Sequence, residues 1–261
     1  MTTAAASFVA KTLAIADMEI RKLRHDPTEL FTRALQPALW LLIFGQVISR
    51  GHVVETGGLP YLHFLMPGIL AQSVLFIAIF NGISVIWERD LGIVHKFLAS
   101  PTPRAALVLG KALGGGTRAL VQAVVVVLLA LALDVRIRWD AAALAGAVLL
   151  IFLGAAVFST FSLIIACIVK TRERFMGIGQ VLTMPLFFAS NAIYPTSMMP
   201  PWLRVISHFN PLTYQVDGLR ALLLAGAPAP AVGVATDFAV LGVALLALVL
   251  VSARLYPKIA R

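Results

Sequence analysis

Few residues of this chain are spaced for covalent chemistry. The acids are Asp17, Glu19, Asp26, Glu29, Glu55, Glu88, Asp90, Asp134, Asp140, Glu173, Asp217 and Asp237. None is expected midway along a long apolar run, although Asp237 falls near the end of one. His25, His52, His63, His95 and His208 are scattered and no HExxH occurs, which argues against a membrane metalloprotease and for no bound metal. The single Cys167 sits in an apolar run, so there is neither a disulfide framework nor a CxxC pair. Gly110-Lys111 with Gly114-Gly115-Gly116-Thr117 has the composition of a phosphate loop, but the order departs from GxxxxGK[ST] and the context is an apolar span. Those glycines read instead as sites of close helix packing. Arg118, inside the same span, needs a partner or must snorkel. Ion-coupled carriers keep ionisable groups at membrane depth, so their expected absence there argues against a proton- or sodium-driven carrier. Carbonyl sites on broken helices would escape that argument.

The longest break between two long apolar runs that is both charged and helix-like is residues 87–111, WERDLGIVHKFLASPTPRAALVLGK. Glu88-Arg89-Asp90 alternate in sign, and Leu91, Val94 and Leu98 fall at helical spacing on one face. Pro101 and Pro103 stop that helix. A short, basic, amphipathic helix between two spans suggests a cytoplasmic element that touches another protein; a solvated loop is the plain alternative.

The elements that must position these groups follow from composition. The 261 residues are 60% hydrophobic and 13% charged, with mean hydropathy +0.92, whereas soluble domains carry about 25% charged residues. A span needs roughly 20 apolar residues, so the chain is expected to be all-α, a polytopic membrane protein of six spans near 30–49, 64–86, 106–133, 141–169, 175–193 and 232–253. The net charge of +9 would suggest nucleic acid in a soluble protein. Here basic cytoplasmic loops and anionic lipid explain it, and no nucleic-acid partner is expected.

Within the N-terminal segment 1–26, residues 1–16 make a poor signal peptide, because they lack a basic start and Lys11 interrupts the apolar stretch. Val9, Leu13, Ala16, Ile20 and Leu23 form one apolar stripe, which predicts an N-terminal amphipathic helix in the membrane interface; a helix packed on a partner is the alternative. Asp26-Pro27-Thr28-Glu29 reads as an N-cap opening the domain at 27–253. Pro185 predicts a kink in the fifth span. Residues 194–231 hold Pro195, Pro200, Pro201, Pro211, Pro228 and Pro230 among apolar pieces too short to span, which predicts re-entrant or interfacial half-helices. Residues 254–261 form a basic tail. Only Arg50, Arg136, Arg138, Arg204 and Arg220 fall on one side of the six-span arrangement. The positive-inside rule therefore places both termini and the segment 87–104 in the cytoplasm.

Several motifs together carry a family resemblance over nearly the whole chain. They are RKLRHDPTELFTRALQPALWLLIFG at 21–45, FLMPG at 64–68, the charged, glycine, leucine and proline pattern at 88–101 closed by Gly110-Lys111, and AIYPTSMMPPWLRVISHFNPLTYQVDGLR at 192–220. The chain resembles the permease subunits of bacterial ATP-binding-cassette exporters of the type-2 class, most of all the daunorubicin-resistance-type multidrug permeases. The resemblance implies a homo- or heterodimer of six-span halves in the bacterial inner membrane, above two copies of an ATPase subunit. That subunit would hold ATP and Mg, with no cofactor on this chain and no enzymatic site of its own.

By the same resemblance Glu88, Arg89, Asp90, Leu91, Gly92, Val94, Leu98 and Pro101 couple to the ATPase. Asp90 and Leu91 depart from the more common Glu and small polar residue. Tyr194, Pro195, Pro201, Trp202, Asn210, Pro211, Tyr214, Asp217 and Arg220 would form an extracellular gate. Asp217 and Arg220, three apart, pair locally or across a dimer axis. Phe44, Gln46, Gln72, Asn81, Gln180 and Asn191, uncharged groups among aliphatic residues, are pathway candidates for a hydrophobic or amphipathic solute; helix packing is their structural alternative. Export of a lipid-linked saccharide or glycolipid, and a non-transporting scaffold, stand as alternative functions.

Overall fold

The structure is a computed structural model that describes residues 2–25, 28–51, 54, 56–100, 102–169, 171–226 and 232–257. The expected cap at Asp26-Pro27, Pro101 and the tail at 258–261 lie outside the described residues, as does the side chain of Leu98. Among the described residues the chain is helical throughout, with a single bridge pair, Ile137 and Leu224, in place of any strand.

Among the described residues four helices are long and apolar enough to cross a membrane. One is the nearly continuous pair α4 (Tyr61–Phe80) and α5 (Gly82–Asp90); the others are α7 (Arg104–Ala132), α8 (Ala141–Ile168) and α12 (Val234–Leu255). Two further expected spans are helical but less suited. α2 (Thr28–Leu39) contains Pro37 and runs through a π-helical stretch (Trp40–Gly45) into α3 (Gln46–Gly51). A proline removes one backbone donor, and a π-helical turn is one way a helix absorbs such a fault. α9 (Arg172–Phe188) has 17 residues, about 25 Å of helix, short of an apolar layer of about 30 Å.

The packing sorts the described segments between two ends of one bundle. At one end the start of α4 meets the turn after α9, where the Tyr61 hydroxyl donates to the Ile193 carbonyl at 3.1 Å. The α7–α8 turn joins there too, with Arg138 N–H donating to Leu223 O at 2.8 Å. At the other end Ile15, Val85, Val94, Leu107, Leu163, Phe175 and Tyr256 form one apolar cluster. α9 begins beside Asp90 and finishes beside Asn210, so it runs from one end to the other.

Close approach in this bundle depends on glycine. A Cβ on Gly110 would overlap Ile15, one on Gly114 would overlap Glu19, and ones on Gly115 and Gly116 would overlap Ser159 and Phe152 of α8. The GxxxG spacing on α7 thus forms a seat for α1 (Thr2–His25), which corrects the expected stripe. Thr12, Ile15, Ala16 and Glu19 face inward, while Val9 and Leu13 stay exposed. The glycine seat and the charge of Glu19 select the face turned to α7, and Val9 and Leu13 remain on the outer side.

Residues 87–100 are also corrected. The sequence predicts one helix from Glu88, whereas α5 carries Trp87–Asp90 as its last turn and a separate α6 (Ile93–Ala99) follows Gly92. Gly92 has φ +72°, a left-handed conformation that ends the first helix and re-aims the second. Leu91 and Val94 therefore do not share a face. Leu91 is 68% exposed and Val94 is fully buried.

Between α9 and α12 lie a 3₁₀ turn (Thr196–Met198), α10 (Pro201–Phe209) and α11 (Pro211–Leu223). Pro201 and Pro211 each occupy a first helical position, where the missing N–H costs nothing. The two short helices expected here are present; residues 227–231 lie outside the described residues.

Candidate functional site

At the end that holds α6, four charged side chains from distant parts of the sequence meet. Lys111 Nζ donates to Glu88 Oε2 at 2.6 Å and to Glu19 Oε1 at 3.3 Å. Glu19 is 2% exposed, and Glu88 and Lys111 are each 4% exposed. Arg118, one helical register further along α7, lies 3.7 Å from Glu19 Oε2 and donates from Nη1 to Asn81 Oδ1 at 2.7 Å. Buried charges are tolerated only when paired and hydrogen-bonded, and here α1, α5 and α7 each supply part of the set. Glu88, expected at a partner surface, is thus turned into the protein.

The outward groups at this end are different ones. Arg89 and Arg172 both reach Asp90, at 2.8 and 3.0 Å. The guanidinium of Arg172 also stacks on Trp87, 3.5 Å from its ring centroid. This ties the start of α9 to the end of α5. Trp87 and Leu91 are exposed, beside a cleft of about 450 Å3 that reaches Asn81 and Arg118.

At the opposite end the motif YP…MPPWL…NPLTY…R acquires geometry. Asn210 accepts the N–H of Leu212 at 3.0 Å and so caps α11. Its amide donates to Leu186 O at 2.6 Å and to Ala189 O at 3.1 Å, carbonyls at the C-terminus of α9 that would otherwise lack partners. Tyr194 and Tyr214 donate to Phe188 O and His208 O at 2.5 and 2.8 Å. Burial raises the Tyr194 phenol above its ordinary value. Pro195 precedes the 3₁₀ turn. Arg220 Nη2 donates to Asn191 O at 2.8 Å and its guanidinium lies 3.9 Å from the Phe64 ring centroid. Asp217 acts on it electrostatically from three residues away. Exposed Trp202 and Phe209 border an apolar groove of about 530 Å3 between α9 and α10.

The pathway candidates divide. Gln72 and Asn191 are interior, Phe44 and Gln46 are half-buried, and Gln180 is exposed. Asn81 lines the cleft at Arg118. The sequence reading passed over Glu19, Lys111 and Gln122 as functional groups. Their signal was present: each is a polar side chain on the glycine-bearing helix or on the segment that faces it. Asp237, foreseen near a helix end, is fully buried and packs against the Gly218 position.

The arrangement has the parts of a membrane permease: long apolar helices and a charged end with exposed apolar side chains. The ABC-2 type transporter family matches residues 10–224, and the chain belongs to it. It is 28% identical to ycf38 of Cyanophora paradoxa, a transport permease by name, over 77% of this chain and 70% of that one. It is 26% identical to the daunorubicin resistance ABC transporter permease protein DrrB1 of Streptomyces coeruleorubidus, over 84% and 77% of the two chains. It is also 26% identical to the inner membrane transport permease YadH of Escherichia coli K12, over 82% and 81%. All three relatives are permeases by name.

Proposed function

We propose that this chain is the permease subunit of an ATP-binding-cassette exporter that moves a hydrophobic or amphipathic compound, drug-like or lipid-like, outward across a bacterial inner membrane. The observation that carries the reading is the family match over residues 10–224, joined to an exposed Trp87 and Leu91 beside the α5–α6 break. Two permease copies, identical or paralogous, form the pathway, and two ATPase subunits bind beneath them and hold ATP and Mg. Six helical passes alternate between the ends, and the basic end with both termini faces the cytoplasm. α6 and the exposed side chains before it dock on the ATPase. The buried set Glu19–Lys111–Glu88 transmits the docking movement to α7, because a well-packed charge cluster resists deformation.

The half-helices α10 and α11 close the outer mouth. The helix interiors, mostly uncharged apart from Arg118, favour an amphipathic solute, which gains hydrogen bonds there. The names of the DrrB1 and YadH relatives agree with a drug-type cargo and with the inner membrane. The test is reconstitution of this chain with its cognate ATPase in liposomes. ATP-dependent movement of lipophilic drugs is expected. Transport confined to lipid-linked sugars would replace the cargo, and no ATP-dependent movement of either would leave a scaffold.

A further inference from the structure

Arg118 and Gln122 lie four residues apart on α7, so they share one face of that helix. Arg118 borders a cleft against α4 and α5, and Gln122 borders one against α2 and α4. The cleft at Arg118, about 450 Å3, and the cleft at Gln122, about 320 Å3, have Ile77 and Phe80 in common and so adjoin. Gln122 is 1% exposed, and neither its amide nitrogen nor its oxygen has a hydrogen-bond partner. A buried amide without partners is uncommon and costs free energy. It points to a group that completes it.

The first cleft has both signs of charge in its wall, but the Glu88 carboxylate is bound by Lys111, which leaves the Arg118 donors facing the cleft. A guanidinium has five donors. That of Arg118 gives one hydrogen bond to Asn81, makes a 3.7 Å contact with Glu19, and keeps a buried Nε with no acceptor. The neighbouring cleft offers apolar surface, with Phe76 and Phe80 stacked at 6.2 Å between ring centroids.

We infer that Arg118, with Gln122 beyond it, forms a binding site for an amphiphile that carries an anionic head and one apolar chain. The oxygens of the head accept from Arg118 and from the Gln122 amide, and the chain lies against Ile77, Phe76 and Phe80. The inference deepens the export reading and rests on it for the purpose of the site, since it gives the cargo or its bilayer competitor a charge.

Binding is measured on the full chain purified in dodecyl maltoside, with Trp40, Trp139 and Trp202 changed to Phe so that Trp87, at the cleft, is the reporter. The probe is 2-bromododecanoate, whose bromine sits beside the head and quenches indole emission. Saturable quenching is expected, reversed by dodecyl phosphate but not by dodecyltrimethylammonium. Loss of a charge-assisted hydrogen bond should weaken binding about ten-fold or more in Arg118→Gln, with Arg118→Lys close to the parent. Displacement by phosphatidylglycerol in mixed micelles would assign the site to a bilayer lipid, and resistance to it would assign the site to a single-chain solute; either supports an anion site. Equal displacement by the cationic and anionic competitors, or unchanged affinity in Arg118→Gln, overturns it. Should Arg118→Gln fail to remain monodisperse, Ser84→Phe fills the cleft and keeps the charge; it must abolish quenching, and persistent quenching refutes the site. No ATPase enters this assay, so a negative result leaves the export reading standing, and a failed export assay leaves the site standing.

Discussion

Lys111 neutralises two carboxylates at once, and that sets the sharpest expectation at the scale of single residues. Lys111→Met leaves Glu19 and Glu88 buried with one fewer cation, and breaking a buried pair in this way costs about 3–5 kcal/mol. The purified chain should therefore melt well below the parent. Adding Glu88→Leu should recover part of the loss, because two apolar side chains can replace a buried pair; a double variant less stable than Lys111→Met would refute the assigned pairing. Asn210 holds two helix ends with one side chain. Asn210→Ala should cost about 1–2 kcal/mol from the lost cap alone, while Asn210→Asp, which keeps the cap to Leu212 and loses the donors to α9, should fall between. Thermal unfolding of the three proteins in one detergent measures this order. The sequence marked Asn210 through its motif, but it could not show that the same side chain serves α9, because residues 186 and 189 become its neighbours only through the turn between.

At the scale of elements, two glycines decide where helices go. Gly114→Leu would drive a side chain into Glu19 and lift α1 from α7. Trypsin should therefore cut α1 faster in Gly114→Leu than in the parent, both purified in the same detergent. Cleavage at the parental rate would show that α1 is held elsewhere. Gly92 occupies a left-handed conformation, which any β-branched residue adopts only with strain, of the order of 1–3 kcal/mol. On the proposed function, Gly92→Val and Glu88→Ala should leave the protein in the membrane, keep most ATP hydrolysis by the complex, and cut ATP-driven export. Export at parental rates in both variants would confine these residues to a structural role. Helix periodicity located α1 and the segment 87–100 but misassigned their faces. An apolar stripe shows which face avoids water, and lipid and protein both satisfy that demand.

For the whole molecule, the arrangement of ends makes a topological prediction. The start of α4, the α7–α8 turn and the turn after α9 converge at one end, while α6, the start of α7 and Tyr256 lie at the other. Single cysteines at Thr56 and Thr171, in the Cys167→Ser background, should accordingly react with impermeant reagents from opposite sides of sealed vesicles; reaction from the same side would overturn the six-pass reading. The amino-acid sequence by itself determined that the chain is helical and built for a membrane, because long apolar runs and sparse charge leave no other way to satisfy backbone hydrogen bonds in lipid. It also determined the short proline-started helices after α9, since proline's fixed φ and missing N–H act locally. Only the tertiary structure decided which charges meet. Glu19 and Glu88 lie far along the chain from Lys111 and Arg118, and no periodicity relates these acids to those bases. Their encounter depends on how closely α1, α5 and α7 approach, which the glycines of α7 permit and the pairing of buried charge then requires.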